Sequence, residues 1–111
     1  MSLYESYLRE RRDLRVLKTA DAFLTWKPTD DGGVYIQDIY VVPEARRNGD
    51  ASKLADELVA MIGRTMPSCT HLYGTCDLES HNPEAGLIAM LRYGFRIVNV
   101  VGKALMLRKD L

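Results

Sequence analysis

The chain has 111 residues, of which 47% are hydrophobic and 27% are charged, and its 15 basic residues balance 15 acidic ones. This length suits one domain, residues 1–111, with a single hydrophobic core. This balance of charge is unlike the excess of basic residues in a nucleic-acid binder. No apolar run approaches the ~20 residues that span a bilayer. The N-terminus carries charged residues where a signal peptide needs apolar ones. We therefore expect a soluble, cytoplasmic protein with no nucleic-acid or membrane partner.

The first part of the chain predicts a helix followed by a β-hairpin. Residues 4–15 place apolar side chains at helical spacing among charges of both signs, which favours a solvated helix face over a phosphate or nucleic-acid patch. Residues 22–26 and 34–42 are rich in β-branched and aromatic side chains and predict two strands. The turn residues 29–33 join these strands into the hairpin.

The next segment predicts an amphipathic helix. Leu54, Leu58 and Met61 recur at i, i+4 and i+7, which is the spacing of one helix face. Gly63 and Pro67 end this pattern.

The residues before this helix have the chemistry to hold a pyrophosphate. A helix start presents unpaired backbone N–H groups and the positive end of its dipole, and Gly49 and Ala51 leave room for an anion to approach the backbone. Arg46 and Arg47 add positive charge. By themselves, the same residues also fit a helix N-terminus closed by solvated arginines, with Asp50 as a stabilising acid in the first turn.

Three further strands are predicted in the second half of the chain, at residues 71–78, 95–100 and 104–108. Cys69 and Cys76 are seven residues apart and would lie on opposite faces of the first of these strands, so we expect buried thiols rather than a disulfide. Neither their spacing nor the two histidines of the chain fits a zinc site, and we expect no metal.

A second helix is predicted between these strands. Asn82 is a preferred N-cap residue, Pro83 suits the first helical position, and Glu84 complements the dipole in the first turn. Gly94 is suited to end this helix, because glycine readily adopts the left-handed conformation of a C-terminal cap. The predicted apolar face of this helix consists of Leu87, Ile88 and Leu91.

Two blocks of this sequence resemble the GNAT superfamily of N-acetyltransferases. In the first block, Arg46, Gly49 and Ala51 fill the family signature Arg/Gln-x-x-Gly-x-Gly/Ala. The preceding residues 38–44 match the family's strand, which commonly reads acidic-apolar-aromatic-Val-x-Pro-Glu. In that family, this loop and helix start bind the pyrophosphate of acetyl-coenzyme A.

The second block begins at Asn82, runs through one helix and ends in Gly94-Phe95, as a later block of the family does. The resemblance covers the chain from about Ala22 to the C-terminus. It implies an α/β fold, the GNAT-like acyl-CoA N-acyltransferase fold, in which helices flank a central mixed β-sheet. The part before Ala22 is abbreviated relative to most members.

The resemblance also implies a cofactor, acetyl-CoA, and the residues that bind it. The pantetheine arm is expected between the strands at 34–42 and 71–78, bonded to backbone groups of the first strand. The implied cofactor-binding residues are Ile39, Tyr40, Val41, Arg46, Arg47, Asn48, Gly49, Asp50, Ala51, Ser52 and Asn82.

The usual catalytic positions of the family hold no ordinary acid or base in this chain. Acetyl transfer needs a neutral amine, whereas a lysine-like amine has a reference pKa near 10.4, so a base must take its proton. The family's usual Glu positions correspond here to Tyr35 and Gln37, and its usual Tyr position to Ala89 or Met90. The candidate catalytic residues are therefore Glu79 and Tyr93, with His81 as a further group near the crevice.

The predicted function is transfer of an acetyl group from acetyl-CoA to the amine of a small molecule or a protein, in a ternary complex with water-relayed deprotonation. The alternative is a catalytically weak or inactive GNAT-like scaffold that binds coenzyme A or serves as a structural protein, as degenerate and phage-encoded members do. The sequence leaves the acceptor and homodimer formation open.

Overall fold

The computed structural model describes residues 2–111, which form a six-stranded mixed sheet with three α-helices. The elements in chain order are α1 (Leu3–Arg12), β1 (Arg15–Lys18), β2 (Ala22–Pro28), β3 (Val34–Val41), a 3-10 turn (Pro43–Ala45), α2 (Asp50–Thr65), β4 (His71–Asp77), α3 (Pro83–Tyr93), β5 (Arg96–Val101) and β6 (Ala104–Asp110). The order of strands across the sheet is β1-β2-β3-β4-β6-β5. Within residues 2–111, no helix is both long and apolar enough to cross a membrane.

The predicted β-hairpin is confirmed as β2 and β3, which pair antiparallel. β4 then pairs parallel with β3 after the α2 crossover, and all other neighbouring strands are antiparallel. A parallel pair needs a crossover connection, and α2 supplies it. The α/β class with a mixed sheet is therefore as predicted from the sequence.

The core lies between α2 and the sheet. Leu54, Leu58 and Ile62 of α2 are almost fully buried, at the spacing that the sequence predicts for one helix face. They pack in one cluster with buried residues of β2, β3, β4 and β6, among them Leu24, Val34, Leu72 and Leu107. The helix passes through Gly63 and ends at Thr65, between the two residues, Gly63 and Pro67, at which the sequence predicts its end.

The N-terminal segment differs from the prediction. The helix ends at Arg12, where Asp13 takes a left-handed conformation (φ 54°), and Arg15 already belongs to β1. This strand has only four residues, too few to show a period of two in the sequence. Its pairing with β2, and not its own pattern, makes it a strand.

The start of α3 also differs. Asn82 precedes Pro83 as predicted, but it has φ 55° and ψ 59°, and its side chain makes no cap hydrogen bond. An N-cap side chain normally acts from the extended region, so the left-handed backbone of Asn82 turns its amide away from the helix. The predicted apolar face is wrong in part: Leu87 packs against the core together with Met90, whereas Ile88 and Leu91 are exposed.

Candidate active site

The candidate site is a cavity of about 360 Å³ where β3 and β4 separate. The two strands pair only at Val34 with Leu72 and at Tyr35 with Tyr73, so beyond this point β3 has backbone groups on its β4 side without a β4 partner. α2 and α3 close the cavity on one face of the sheet. Its walls are residues 36–39 of β3, Ala51, Ser52 and Ala55 of α2, Gly74 and Thr75 of β4, Gly86, Ala89, Met90 and Tyr93 of α3, and Phe95.

One end of the cavity meets the start of α2. Gly49 caps this helix with φ 81°, and no side chain caps it. The N–H groups of Asp50, Ala51 and Ser52 belong to the first turn, where a helix offers them no acceptor of its own. A Cβ at Gly49 would meet nothing within 4 Å, so the space beside Gly49 is open. This end of the cavity is therefore suited to an anion.

Arg46 ties this loop to the end of β3. Its Nε donates a hydrogen bond of 3.0 Å to the carbonyl oxygen of Val41, and its guanidinium lies 5.7 Å from the centre of the Tyr40 ring. Arg47 is exposed and adopts a left-handed backbone (φ 72°), which places the chain in a tight turn before Gly49. Both arginines belong to the loop that leads into α2 and add positive charge to it.

The structure places the predicted cofactor-binding residues in three groups. Ile39, Ala51 and Ser52 line the cavity. Val41 ends β3 and accepts the hydrogen bond from Arg46, and residues 46–50 form the loop and first residue of α2. Tyr40 lies opposite Phe23 on β2, and the two rings pack together on the sheet face opposite to Ile39. Asn82 lies at the start of α3, outside the cavity lining.

Tyr93 lines the cavity and joins its two helices. Its hydroxyl donates a hydrogen bond of 2.7 Å to Oδ1 of Asp56 on α2. Burial of the ring, followed by the bond to Asp56, raises the pKa of the Tyr93 hydroxyl above its usual value. Tyr93 therefore remains a hydrogen-bond donor at neutral pH, and its proton points to Asp56.

Glu79 lies in the turn after β4, outside the cavity lining. Its carboxylate accepts a hydrogen bond of 2.7 Å from Nζ of Lys103, and both side chains are largely exposed. Its backbone N–H donates to Oδ1 of Asp77, which fixes the turn. His81 is exposed in the same turn.

A carboxylate that sequence reasoning missed, Asp38, does line the cavity. Its strand has a bulge beside Gln37, because Thr25 pairs with Asp38 while Trp26 pairs with Ile36. The backbone N–H of Asp38 donates to the hydroxyl of Thr25 at 3.2 Å. The bulge adds one residue to β3, so Ile36 and Ile39 lie on the same sheet face although they are three residues apart, whereas Asp38 lies on the other face with Thr25. The residue pattern alone does not show this register.

A second, shallower depression of about 470 Å³ lies on the sheet and shares Gln37 with the cavity. It is lined by Lys27, Thr29, Tyr35, Gln37, Tyr73 and Met106. Within it, the Tyr35 hydroxyl lies 3.1 Å from that of Thr75, which also lines the cavity. Gln37 and this Tyr35–Thr75 contact therefore stand between the two concave regions.

Asp31 anchors one end of the depression. Its carboxylate accepts hydrogen bonds from the hydroxyls of Thr29 and Tyr73 and lies 3.1 Å from Nε2 of the buried His71. These three partners hold the pKa of the Asp31 carboxyl well below its usual value. No run of neighbouring residues signals this network, because Asp31 and Tyr73 are 42 residues apart. Within residues 2–111, no three side chains of the metal-ligating types cluster.

Comparison with known proteins identifies the fold. No protein-family model and no curated protein matches the chain. Solved structures do match: PaiA N-acetyltransferase from Thermoplasma acidophilum in complex with coenzyme A has a TM-score of 0.75 at 14% identity, over 94% of this chain and 66% of that one. A GNAT family acetyltransferase from Elizabethkingia anophelis with acetyl-CoA bound has a TM-score of 0.74 at 16% identity, over 98% of this chain and 82% of that one.

Arabidopsis thaliana NAA60 in complex with a bisubstrate analogue has a TM-score of 0.65 at 22% identity, over 82% of this chain and 65% of that one. The chain spans 64% of a GNAT-family protein from Desulfovibrio desulfuricans, so it covers about two thirds of several of these structures. The molecule thus has an α/β acyltransferase fold. More narrowly, this fold is the GNAT fold, as the resemblance of the Arg46–Ala51 and Asn82–Phe95 blocks predicts.

Proposed function

We propose that this protein is an acetyl-CoA-dependent N-acetyltransferase that holds the acyl-pantetheine arm in the β3–β4 cavity and the pyrophosphate at the start of α2. The observation that carries the proposal is the continuity of the cavity. Ala51 and Ser52 of the helix start line the same space as Gly74 and Thr75 of the separated strand. A long ligand with an anionic middle and an apolar, amide-bearing arm fits this shape.

Two of the similar structures contain the ligand in question, coenzyme A in the T. acidophilum protein and acetyl-CoA in the E. anophelis protein. In this proposal, the same ligand is bound by the residues that the sequence resemblance implies. Backbone groups of Ile39, Tyr40 and Val41 face the arm, and residues 46–52 surround the pyrophosphate. Asn82 lies at the start of α3, the second helix that walls the cavity.

The acceptor amine approaches from the shallower depression and meets the thioester beside Gln37. The amine nitrogen would form the new bond to the acetyl carbon while the carbon–sulfur bond breaks. Coenzyme A would leave as a thiolate, and the proton that the amine releases to water would restore its thiol. Asp38, which lines the cavity, accepts a hydrogen bond from that water. A lysine-like amine has a reference pKa near 10.4 and is mostly protonated at neutral pH, so the supply of neutral amine limits the rate there.

Tyr93 is the candidate donor to the departing sulfur, because it is the tyrosine of the cavity wall. Its raised pKa means that it offers a hydrogen bond and keeps its own proton. To reach the sulfur, the hydroxyl has to leave Asp56. Glu79 is the second candidate, after Asp38, for the carboxylate that assists deprotonation. To act in this way, it would first have to break its ion pair with Lys103.

A coenzyme-binding scaffold is the second candidate function. It is favoured by the pairing of both catalytic candidates with other side chains, Tyr93 with Asp56 and Glu79 with Lys103. The two functions share the cofactor and differ only in turnover.

The test is a calorimetric titration with acetyl-CoA and with coenzyme A, followed by a screen of acceptor amines for release of the free thiol. Binding with turnover supports the enzyme, and binding without turnover for any amine supports the scaffold. The absence of binding of either ligand at millimolar concentration contradicts both.

A further inference from the structure

An uncovered apolar patch begins on the last strand of the sheet. β5 is an edge strand within residues 2–111, and all six of its residues are exposed. Ile97 lies opposite the buried Leu107, and Val100 lies opposite Leu105, which packs against the core. Both side chains therefore stand on the sheet face that carries α2 and α3, yet they are 46% and 60% exposed.

α3 carries two further exposed apolar residues, Ile88 and Leu91. An α-helix turns by about 100° per residue. Ile88 and Leu91 therefore lie on the side of α3 roughly opposite to Tyr93, whose hydroxyl donates a hydrogen bond to Asp56 of α2. Because α2 packs on β1, β2 and β3 while α3 packs on β4, this flank of α3 faces the side of β6 and β5. Ile88 and Leu91 are 48% and 44% exposed. We call Ile88, Leu91, Ile97 and Val100 the α3/β5 patch.

The opposite edge of the sheet is protected. β1 has only four residues, begins with Arg15, ends with Lys18 and packs against α1. Short length, terminal basic residues and a covering helix are the usual devices that prevent edge-to-edge association. β5 is longer and has one charged residue, Arg96, at its start. Exposed apolar clusters of this kind mark protein interaction sites.

The charges beside the patch make it complementary to itself. Glu84 and Arg92 lie four residues on either side of Ile88, and both are exposed. Among the described residues 2–111, neither takes part in an ion pair. If two copies of α3 cross antiparallel at Ile88, Glu84 of each copy faces Arg92 of the other. A two-fold axis repeats this pairing, and no like charges meet.

We propose that the α3/β5 patch is the contact surface of a symmetric dimer formed with a second copy of this chain. Branched aliphatic side chains form its centre and the Glu84–Arg92 pairs form its rim, which is the composition of specific interfaces. The coenzyme cavity stays open in such a dimer, because it is lined by the other flank of α3, at Gly86, Ala89 and Tyr93. The dimer is therefore independent of the proposed activity.

Sedimentation equilibrium over a concentration series tests the dimer, which has twice the chain mass of 12.6 kDa. Ile88→Glu places two like charges at the two-fold axis and weakens association at least ~10-fold. Leu3→Glu is the matched control, because Leu3 is a more exposed apolar residue on α1, away from the patch, and its substitution leaves the dissociation constant unchanged. A wild-type chain that is monomeric at about 1 mM, or a dimer that Ile88→Glu does not weaken, overturns the proposal.

A charge exchange tests the arrangement without touching the apolar centre. Glu84→Arg alone and Arg92→Glu alone each weaken association by ~3- to 10-fold, and the double variant recovers the wild-type constant. Thermal melting of each monomer confirms that it is folded. Failure of the double variant to recover association contradicts the antiparallel crossing of α3.

Discussion

The hydroxyl of Tyr93 donates a hydrogen bond to Asp56, 37 residues earlier in the chain. This hydrogen bond links the two helices that wall the cavity. Asp56 is an exposed residue of α2, and Tyr93 is the last residue of α3. The contact therefore fixes the distance between the two helices where an acyl group is proposed to lie. It also sets the direction in which the only tyrosine proton of the cavity wall, within residues 2–111, points.

Removing this contact is expected to lower stability modestly. Tyr93→Phe and Asp56→Ala should each reduce the free energy of unfolding by roughly 0.5–1.5 kcal/mol, the net worth of one hydrogen bond, and the double variant should lose less than the sum. Chemical denaturation of all four proteins measures the coupling. Additive losses would show that the two side chains do not interact in solution.

Gly49 is expected to be essential for coenzyme binding, because a side chain there would stand before the N–H groups of the α2 start. Coenzyme A at ~100 times its dissociation constant should add roughly 2.7 kcal/mol to the stability of the wild type. Gly49→Asn should abolish most of this gain while leaving the unliganded fold intact, since asparagine tolerates the left-handed region. Differential scanning calorimetry with and without ligand measures both effects.

Gly102→Asn is the matched control for this experiment. Gly102 also has a positive φ, 59°, and a Cβ at this position would likewise meet nothing within 4 Å, but the residue lies in the β5–β6 turn. The variant should keep the full ligand-induced stabilisation. Equal stabilisation of both asparagine variants would mean that the loop before α2 is only a helix start.

Arg46 is expected to contribute to affinity through both its charge and its bond to Val41. Arg46→Ala should weaken coenzyme A binding about 10- to 100-fold, as expected for loss of a charge-assisted hydrogen bond of about 1.5–3 kcal/mol. Arg64→Ala, in the last turn of the same helix, should leave the affinity unchanged. Isothermal titration calorimetry compares the two, and equal affinities of both variants would remove Arg46 from the site.

If the protein turns over, its rate is expected to rise with pH as the acceptor amine loses its proton, because the cavity lining described within residues 2–111 contains no histidine. Asp38→Asn should lower the rate by ~100-fold with unchanged coenzyme affinity. Glu79→Gln should have the smaller effect, since its carboxylate pairs with Lys103 outside the cavity lining. Initial rates over a pH series decide between the two carboxylates, and a larger loss for Glu79→Gln would reverse their assignment.

Asp31 is expected to stabilise the fold in its charged form. The pKa of its carboxyl is depressed in the folded state, so the stabilisation is present above the unfolded-state pKa near 3.9 and is lost as pH falls through the lower folded-state value. Asp31→Asn should therefore lower the melting temperature at pH 7, and the difference from wild type should shrink progressively below about pH 4. A difference that stays constant down to about pH 2 would mean that the charge of Asp31 is not responsible.

The sequence by itself determined most of the local structure, including the helix start that is proposed to bind the coenzyme. Strong local signals explain this: β-branched runs for β2 and β3, a 3.6-residue apolar period for α2, and the small residues Gly49 and Ala51 at a helix start. Each of these signals depends on neighbours within a few positions of the chain.

Only the tertiary structure decided which side chains meet in the site. The short strand β1 exists through pairing with β2, and the bulge at Gln37 sets the register that places Ile36 and Ile39 on one sheet face and Asp38 on the other. The contact between Tyr93 and Asp56 joins residues far apart in sequence, and the position of α3 over β4 decides that Leu87 is covered while Ile88 is exposed. Such contacts depend on how whole elements pack, and packing is a property that no local pattern of residues encodes.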